Sequence, residues 1–269
     1  MGIAVLTPRD ELPARPARLT RGRGLAHSAA VSRSVDGLVR WGAQRRWPVL
    51  TTVALVVACA AAVVQYTVPA AVPALERTPS GLPRSEYWRL VTPLLVQTLG
   101  WYQVLANLAT LAVIGAVTEW VLGCRWWLTL VIAGTAGGQL AAYHWHEWGG
   151  GDSIAICGLA AGVLVTQLVG RDPPVRWAAD AVLYYIVALA GWGLVGIVGA
   201  GLAVVAAVAG LWLVRRIDPA GGYRLALAAT GLGALGLAAL RDLHGAALTA
   251  AMLLSAIVLI CRNWVGSSG

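Results

Sequence analysis

The chain has 269 residues, of which 58% are hydrophobic and only 12% charged, with a net charge of +8 and a mean hydropathy of +0.72. A soluble domain carries about 25% charged residues, so this chain has too few to cover a water-facing surface, and a soluble globular protein is excluded. The positive charge is all arginine, gathered in the N-terminal stretch and at the ends of apolar runs, a pattern that orients membrane helices rather than binding nucleic acid.

Residues 1–48 are rich in Arg, Pro and Ser with little apolar periodicity, which predicts a disordered basic tail. The stretch is not expected to be a signal peptide, because the first apolar run begins late and is too long. Apolar runs follow at 49–72, 101–122, 126–145, 153–170, 177–214, 223–240 and 243–261. About 20 residues of helix cross the hydrocarbon layer, and unbroken rather than alternating hydrophobicity selects helices over a barrel. The run at 177–214 would be roughly 57 Å long as one helix, nearly twice that layer. Two helices with a turn near Gly191, Trp192, Gly193 and Gly196 fit instead.

Arginine placement supports that division. Arg45 and Arg46 precede the first run, which predicts a cytoplasmic N-terminus. If 177–214 crosses twice, Arg125, Arg171, Arg176, Arg215, Arg216, Arg224 and Arg262 all fall on the same side. The expected architecture is therefore an all-α polytopic bundle of about eight helices over 49–262, with a short cytoplasmic tail at 263–269. The absence of Lys and Phe beside abundant Ala, Arg, Gly and Val points to a GC-rich bacterial genome, and so to a plasma membrane.

Polar groups inside a membrane are costly and mark function. In this topology Asn107, Ser153 and His244 come from three separate helices, yet all lie near the external face; Glu119 lies at an inner end. A hydroxyl, an imidazole base and a carboxamide donor are the parts of an acyl-transfer site. A run of Gly149, Gly150 and Gly151 before Ser153 lets backbone approach the nucleophile closely. Each residue also has a plainer role: Ser153 as a helix N-cap, His244 as an interfacial polar residue, and Asn107 as hydrogen-bonding glue between helices. His144, His146 and Glu147 form an H-x-H-E cluster, but the two histidines lie on different helix faces and no further ligand stands nearby, so neither a metal nor another cofactor is expected. Cys59, Cys124, Cys157 and Cys261 lie in or beside apolar runs without CxxC spacing and are expected to be small buried residues. Thirteen Trp, several near predicted helix ends, suit interfacial anchoring.

Taken in order, these residues resemble the rhomboid family of intramembrane serine proteases. Trp88-Arg89 is similar to that family's Trp-Arg loop motif, and Gln103-Val-Leu-Ala-Asn107 to its His-x-x-x-Asn. Gly115-x-x-x-Glu119-x-x-x-Gly123 matches its G-x-x-x-E-x-x-x-G; Gly151-Asp152-Ser153-Ile154 resembles its G-x-S-G; His244-x-x-Ala247-x-x-x-Ala251 resembles its H-x-x-G-x-x-x-G. The resemblance implies Ser153 as nucleophile, His244 as general base, and Asn107, Gln103 and the Gly151–Ser153 backbone at the oxyanion. It makes Glu119 a structural residue holding a cytoplasmic loop, and membrane-spanning proteins the substrates. A family dyad needs no carboxylate, so it gives Asp152 and Asp242 no triad role. Three departures stand out. Ile154 replaces a Gly and is expected to crowd helix packing. Gln103 replaces a His, though its amide can still donate. The distance from Ser153 to His244 exceeds the family core by about one helical hairpin, and an alignment ending at 194–214 would leave the sixth helix without a His. A catalytically inactive relative that binds transmembrane helices is the alternative these departures favour. A small transporter is the third reading, although the related halves and broken midplane helices such proteins show are missing from the sequence.

Overall fold

The first described helix, α1, runs Val49–Thr67, long enough at 1.5 Å per residue to cross the hydrocarbon layer. The computed structural model describes residues 47–169 and 177–266, with side chains described as far as residue 258. The expected basic tail up to residue 46, and Arg171 and Arg176, lie outside those residues. A short helix α2 (Ala71–Leu75) and three 3-10 turns, Leu82–Arg84, Tyr87–Leu90 and Thr92–Leu95, carry the chain to α3 (Trp101–Leu122). After Gly123, whose φ of +83° suits glycine alone, come α4 (Cys124–His144), α5 (Ser153–Val169), α6 (Trp177–Ile217), α7 (Pro219–Ala239) and α8 (Leu243–Gly266). No strand occurs among the described residues; Arg77 and Gly149 form an isolated antiparallel bridge. Four of these helices, α1, α3, α6 and α7, are long and apolar enough to cross a membrane by length and composition.

The helix α6 is two helices. Val195 (φ −141°) and Gly196 (φ +65°) leave helical geometry, and the arms fold back on each other. An added Cβ on Gly191 would lie 2.3 Å from the Gly199 carbonyl oxygen, so the backbones touch where neither residue has a side chain. Toward the opposite end, Arg215 donates through both terminal nitrogens to the Asp180 carboxylate at 2.7 and 2.6 Å. The turn thus falls at the last of the four predicted positions. With the arms counted separately, eight long helices pack side by side among the described residues, in line with the number the charge pattern predicted.

The centre of the bundle is α5, whose first fourteen residues are almost all buried. It packs against α4 in antiparallel register: Gly134 faces Ile154 and Gly158, and Gly138 faces Ile154. Ile154 does not crowd this contact. It is buried, and an added Cβ on Gly138 would meet Ile154 Cγ2 at 2.7 Å, so the missing glycine of α5 is made good by a glycine of α4. On its other side α5 meets α8, whose Ala247 and Ala251 are fully buried; Gly137 of α4 lies against Ala246 and Ala250 of the same helix. Small residues at each contact let the backbones approach.

Glu119 does more than steady a loop. Its carboxylate accepts hydrogen bonds from the backbone N–H groups of Leu50 and Thr51 and from the Thr51 hydroxyl, at 3.0, 2.9 and 2.9 Å. It therefore caps the start of α1 from α3, satisfying N–H groups that have no partner inside their own helix. The cysteines also differ from expectation: Cys157 is buried, Cys59 and Cys124 are exposed, and Cys261 lies outside the described side chains. Cys59 sits on the outward side of α1, where lipid rather than protein would surround an apolar residue.

Candidate active site

Two loops and a turn build the site at one end of the bundle. Arg89 is buried; it pairs with Glu86 at 2.5 Å and donates to the carbonyls of Pro73 (3.2 Å) and Glu76. It ties α2 to the 3-10 turns, while the neighbouring Trp88 is half exposed. Arg77 is more deeply buried still and was not singled out in the sequence. It donates to the carbonyl of Glu147 at 3.0 Å and the side chain of Gln139 at 3.0 Å, and exchanges backbone hydrogen bonds with Gly149. Burial of its guanidinium pushes its pKa down, against the opposing pull of Tyr143 and Glu147. The loop ahead of Ser153 is therefore pinned to the first long loop by a desolvated arginine.

That loop turns through Gly149 and Gly151, with φ of +122° and +150°. A Cβ on Gly151 would stand 2.4 Å from Gln103 Nε2, so only glycine fits both the backbone and the space. Gln103 donates to the Gly150 carbonyl at 3.2 Å and accepts from the Leu99 N–H at 2.8 Å. Asn107 is buried, and its amide nitrogen donates to Asp152 Oδ1 at 2.7 Å and Gln97 Oε1 at 2.9 Å. Gln97 also donates to Asp152 Oδ1 at 2.7 Å. Its backbone is held at both N–H and C=O by Gln65 of α1. The Asp152 carboxyl is pushed up by burial, which outweighs the hydrogen bonds from Gln97 and Asn107. The amide expected at an oxyanion thus serves a buried carboxyl. Gln65, Gln97 and Asp152 were not assigned to the site from sequence; the available signal was Gln65, a lone amide within an apolar run.

Ser153 begins α5, and its Oγ lies 2.9 Å from His244 Nε2, at the start of α8. Tyr185 of α6 donates its hydroxyl to the Ser153 carbonyl at 3.0 Å, and Cys157 Sγ lies 3.8 Å from the same hydroxyl. The far nitrogen of His244, Nδ1, is 2.7 Å from Asp242 Oδ1, which also accepts the His244 backbone N–H at 2.7 Å. Asp242 therefore touches the imidazole directly, where the resemblance had given it no part. Burial opposes ionisation of Asp242, but the hydrogen bond and charge of His244 and the N–H groups of His244 and Gly245 hold its carboxyl below the usual range. Among the described residues no group of three or more His, Cys, Asp or Glu side chains is placed to hold a metal ion.

Ser153 and His244 lie on the wall of a cleft of about 400 Å³ between α3 and the arms of α6. Its surface is apolar and aromatic, with Tyr102, Val113, Tyr184, Leu189, Trp192 and Val204 around it. The rings of Tyr102 and Trp192 approach to 5.1 Å at its rim.

A search of curated proteins and a search of solved structures each found no match to the chain. The rhomboid domain family matches residues 84–214, a segment that holds α3 to α5 and most of α6 and stops before α7 and α8. His244 thus lies beyond the matched segment, on a helix that follows α7 and packs beside α5. Within this all-helical architecture, residues 84–214 form a rhomboid domain, and the chain is a rhomboid-like membrane protein.

Proposed function

We propose that this protein is an intramembrane serine protease that cuts membrane-spanning proteins, with Ser153 as nucleophile and His244 as general base. The observation that carries the reading is the 2.9 Å approach of Ser153 Oγ to His244 Nε2 beside an apolar cleft. The Ser153 oxygen attacks a substrate carbonyl as its proton passes to Nε2. The C–N bond then breaks, the leaving amine takes that proton, and water repeats the sequence to release the acid. Backbone N–H groups at the start of α5, which lack partners within the helix, and Gln103, whose amide carries a second N–H, supply the donors for the developing oxyanion in this reading. Asn107 joins them only by giving up a bond to Asp152 or Gln97.

The cleft suits a segment of transmembrane helix entering between α3 and α6. Such a segment must unwind to present its carbonyl, and helix-weakening residues lower that cost. Arg45 and Arg46 before α1 put the N-terminus in the cytoplasm and hence the site toward the opposite, outer leaflet of a bacterial plasma membrane.

A second reading keeps the cleft and drops the chemistry: an inactive relative that binds transmembrane helices. The engagement of Asn107 by Asp152 and Gln97 favours it. Labelling of detergent-solubilised protein with a fluorescent serine-hydrolase phosphonate separates the two. The protease reading expects labelling of the wild type that Ser153→Ala and His244→Ala both abolish. A folded wild type that takes no label favours the helix-binding reading.

A further inference from the structure

We propose that Asp242 is a positioning residue for His244, so that the site operates as a Ser153–His244–Asp242 hydrogen-bonded chain rather than as a two-residue pair; this rests on the protease reading above. The geometry is direct. Asp242 Oδ1 lies 2.7 Å from His244 Nδ1, and Ser153 Oγ lies 2.9 Å from Nε2, so the two ring nitrogens face opposite partners. An ionised carboxylate can only accept hydrogen bonds. Nδ1 must then carry the proton of the neutral ring, which leaves the Nε2 lone pair directed at the Ser153 hydroxyl. That is the tautomer a general base needs, and a histidine without a partner at Nδ1 does not hold it uniquely.

The same oxygen accepts the His244 backbone N–H at 2.7 Å. One carboxylate therefore fixes both the first turn of α8 and the plane of the ring at its second position. When the Ser153 proton moves to Nε2, both ring nitrogens carry protons, and the positive charge forms against the Asp242 carboxylate. The proton then leaves with the departing amine, and the carboxylate keeps its charge throughout. The lowered pKa of Asp242 keeps it ionised at neutral pH.

The surroundings leave this carboxylate as the ring's anionic partner. The helices packed on α8 are α4, α5 and α7. The outer end of α4 brings Tyr143 and His144, α5 brings Cys157 with Asp152 just before it, and α7 has only Tyr223 and Arg224, near its far end. Tyr185 of α6 reaches Ser153, Arg241 precedes Asp242 in the chain, and the Asp152 carboxyl is turned to Gln97 and Asn107.

Capping alone would explain one of the two contacts, so the test must keep the cap. Asn and Ser cap helices about as well as Asp, and neither carries charge. The rate of phosphonate labelling is measured against pH for the wild type, Asp242→Asn and Asp242→Ser, with thermal midpoints alongside. The expected result is labelling slowed by at least about tenfold at nearly unchanged midpoint. The slowing is expected to persist across the pH range while the midpoint holds, which loss of a helix cap alone does not produce. Neutral variants that label at the wild-type rate across that range reduce Asp242 to a helix cap and overturn the proposal, while leaving the protease reading intact. A wild type that does not label overturns both.

Discussion

At Asp152 two requirements meet in one side chain. It precedes Ser153, it is buried, and it gathers the amides of Gln97 and Asn107 at 2.7 Å each. Those bonds orient the loop, but burial outweighs them and raises its pKa. The sign follows from linkage. A carboxyl whose folded pKa is raised costs nothing below its unfolded value, near about 4, and costs progressively more as pH rises from there through the folded value. Asp152→Asn keeps an oxygen for both amides and removes the charge. Its thermal midpoint should match that of wild type near pH 4 and exceed it by a few degrees at pH 7; equal midpoints across the whole range would falsify this account. Ile154, the next residue but one, shows how a pairwise contact escapes single-chain reading: its fit depends on Gly138, which no spacing around Ser153 reveals.

Among the elements, the α6 hairpin lies between Ser153 and His244 in the chain while leaving them adjacent in space. Three features close it: the turn at Val195–Gly196, the backbone contact of Gly191 with Gly199, and the bidentate pair Asp180–Arg215. The pair is partly exposed, with side-chain exposures of 34% for Arg215 and 14% for Asp180, so screening limits its contribution to roughly 1–2 kcal/mol. Asp180→Arg places two cations together and should lower the thermal midpoint by several degrees. The exchange Asp180→Arg with Arg215→Asp should recover part of the loss. If the double variant is no better than the sum of the single ones, the pair does not hold the arms. Glu119 plays a matching part for α1: its carboxylate joins two helices by capping one of them.

Across the molecule, the loops that carry Arg77, Arg89, Gly151 and Asp242 gather at one end, and the α1 cap lies at the other. An alkaline phosphatase reporter, active only outside the cytoplasm, reads this arrangement directly. Fusions ending at residue 195 should be active, and fusions ending at residue 217 inactive. Equal activity at the two positions would mean that 177–217 crosses the membrane once, placing the Arg215–Arg216 end opposite to the side the other arginines mark.

What the sequence by itself determined is what depends on composition and period. Apolar runs of membrane-spanning length, arginines at alternate ends and a doubled fifth run were enough for an all-α bundle of eight long helices, because lipid admits no other backbone arrangement for such runs. The ordered motifs at Trp88-Arg89, Gly115 to Gly123 and Gly151 to Ser153 were enough for the rhomboid domain that spans 84–214, since each fixes residue types at set spacings on one element. The tertiary structure decided what depends on partners from distant elements. It set Asn107 against Asp152 and Gln97, Arg77 under the loop before Ser153, and Asp242 on the far side of His244. Hydrogen bonds between side chains many residues apart have no period in the chain; their geometry exists only once the helices have packed.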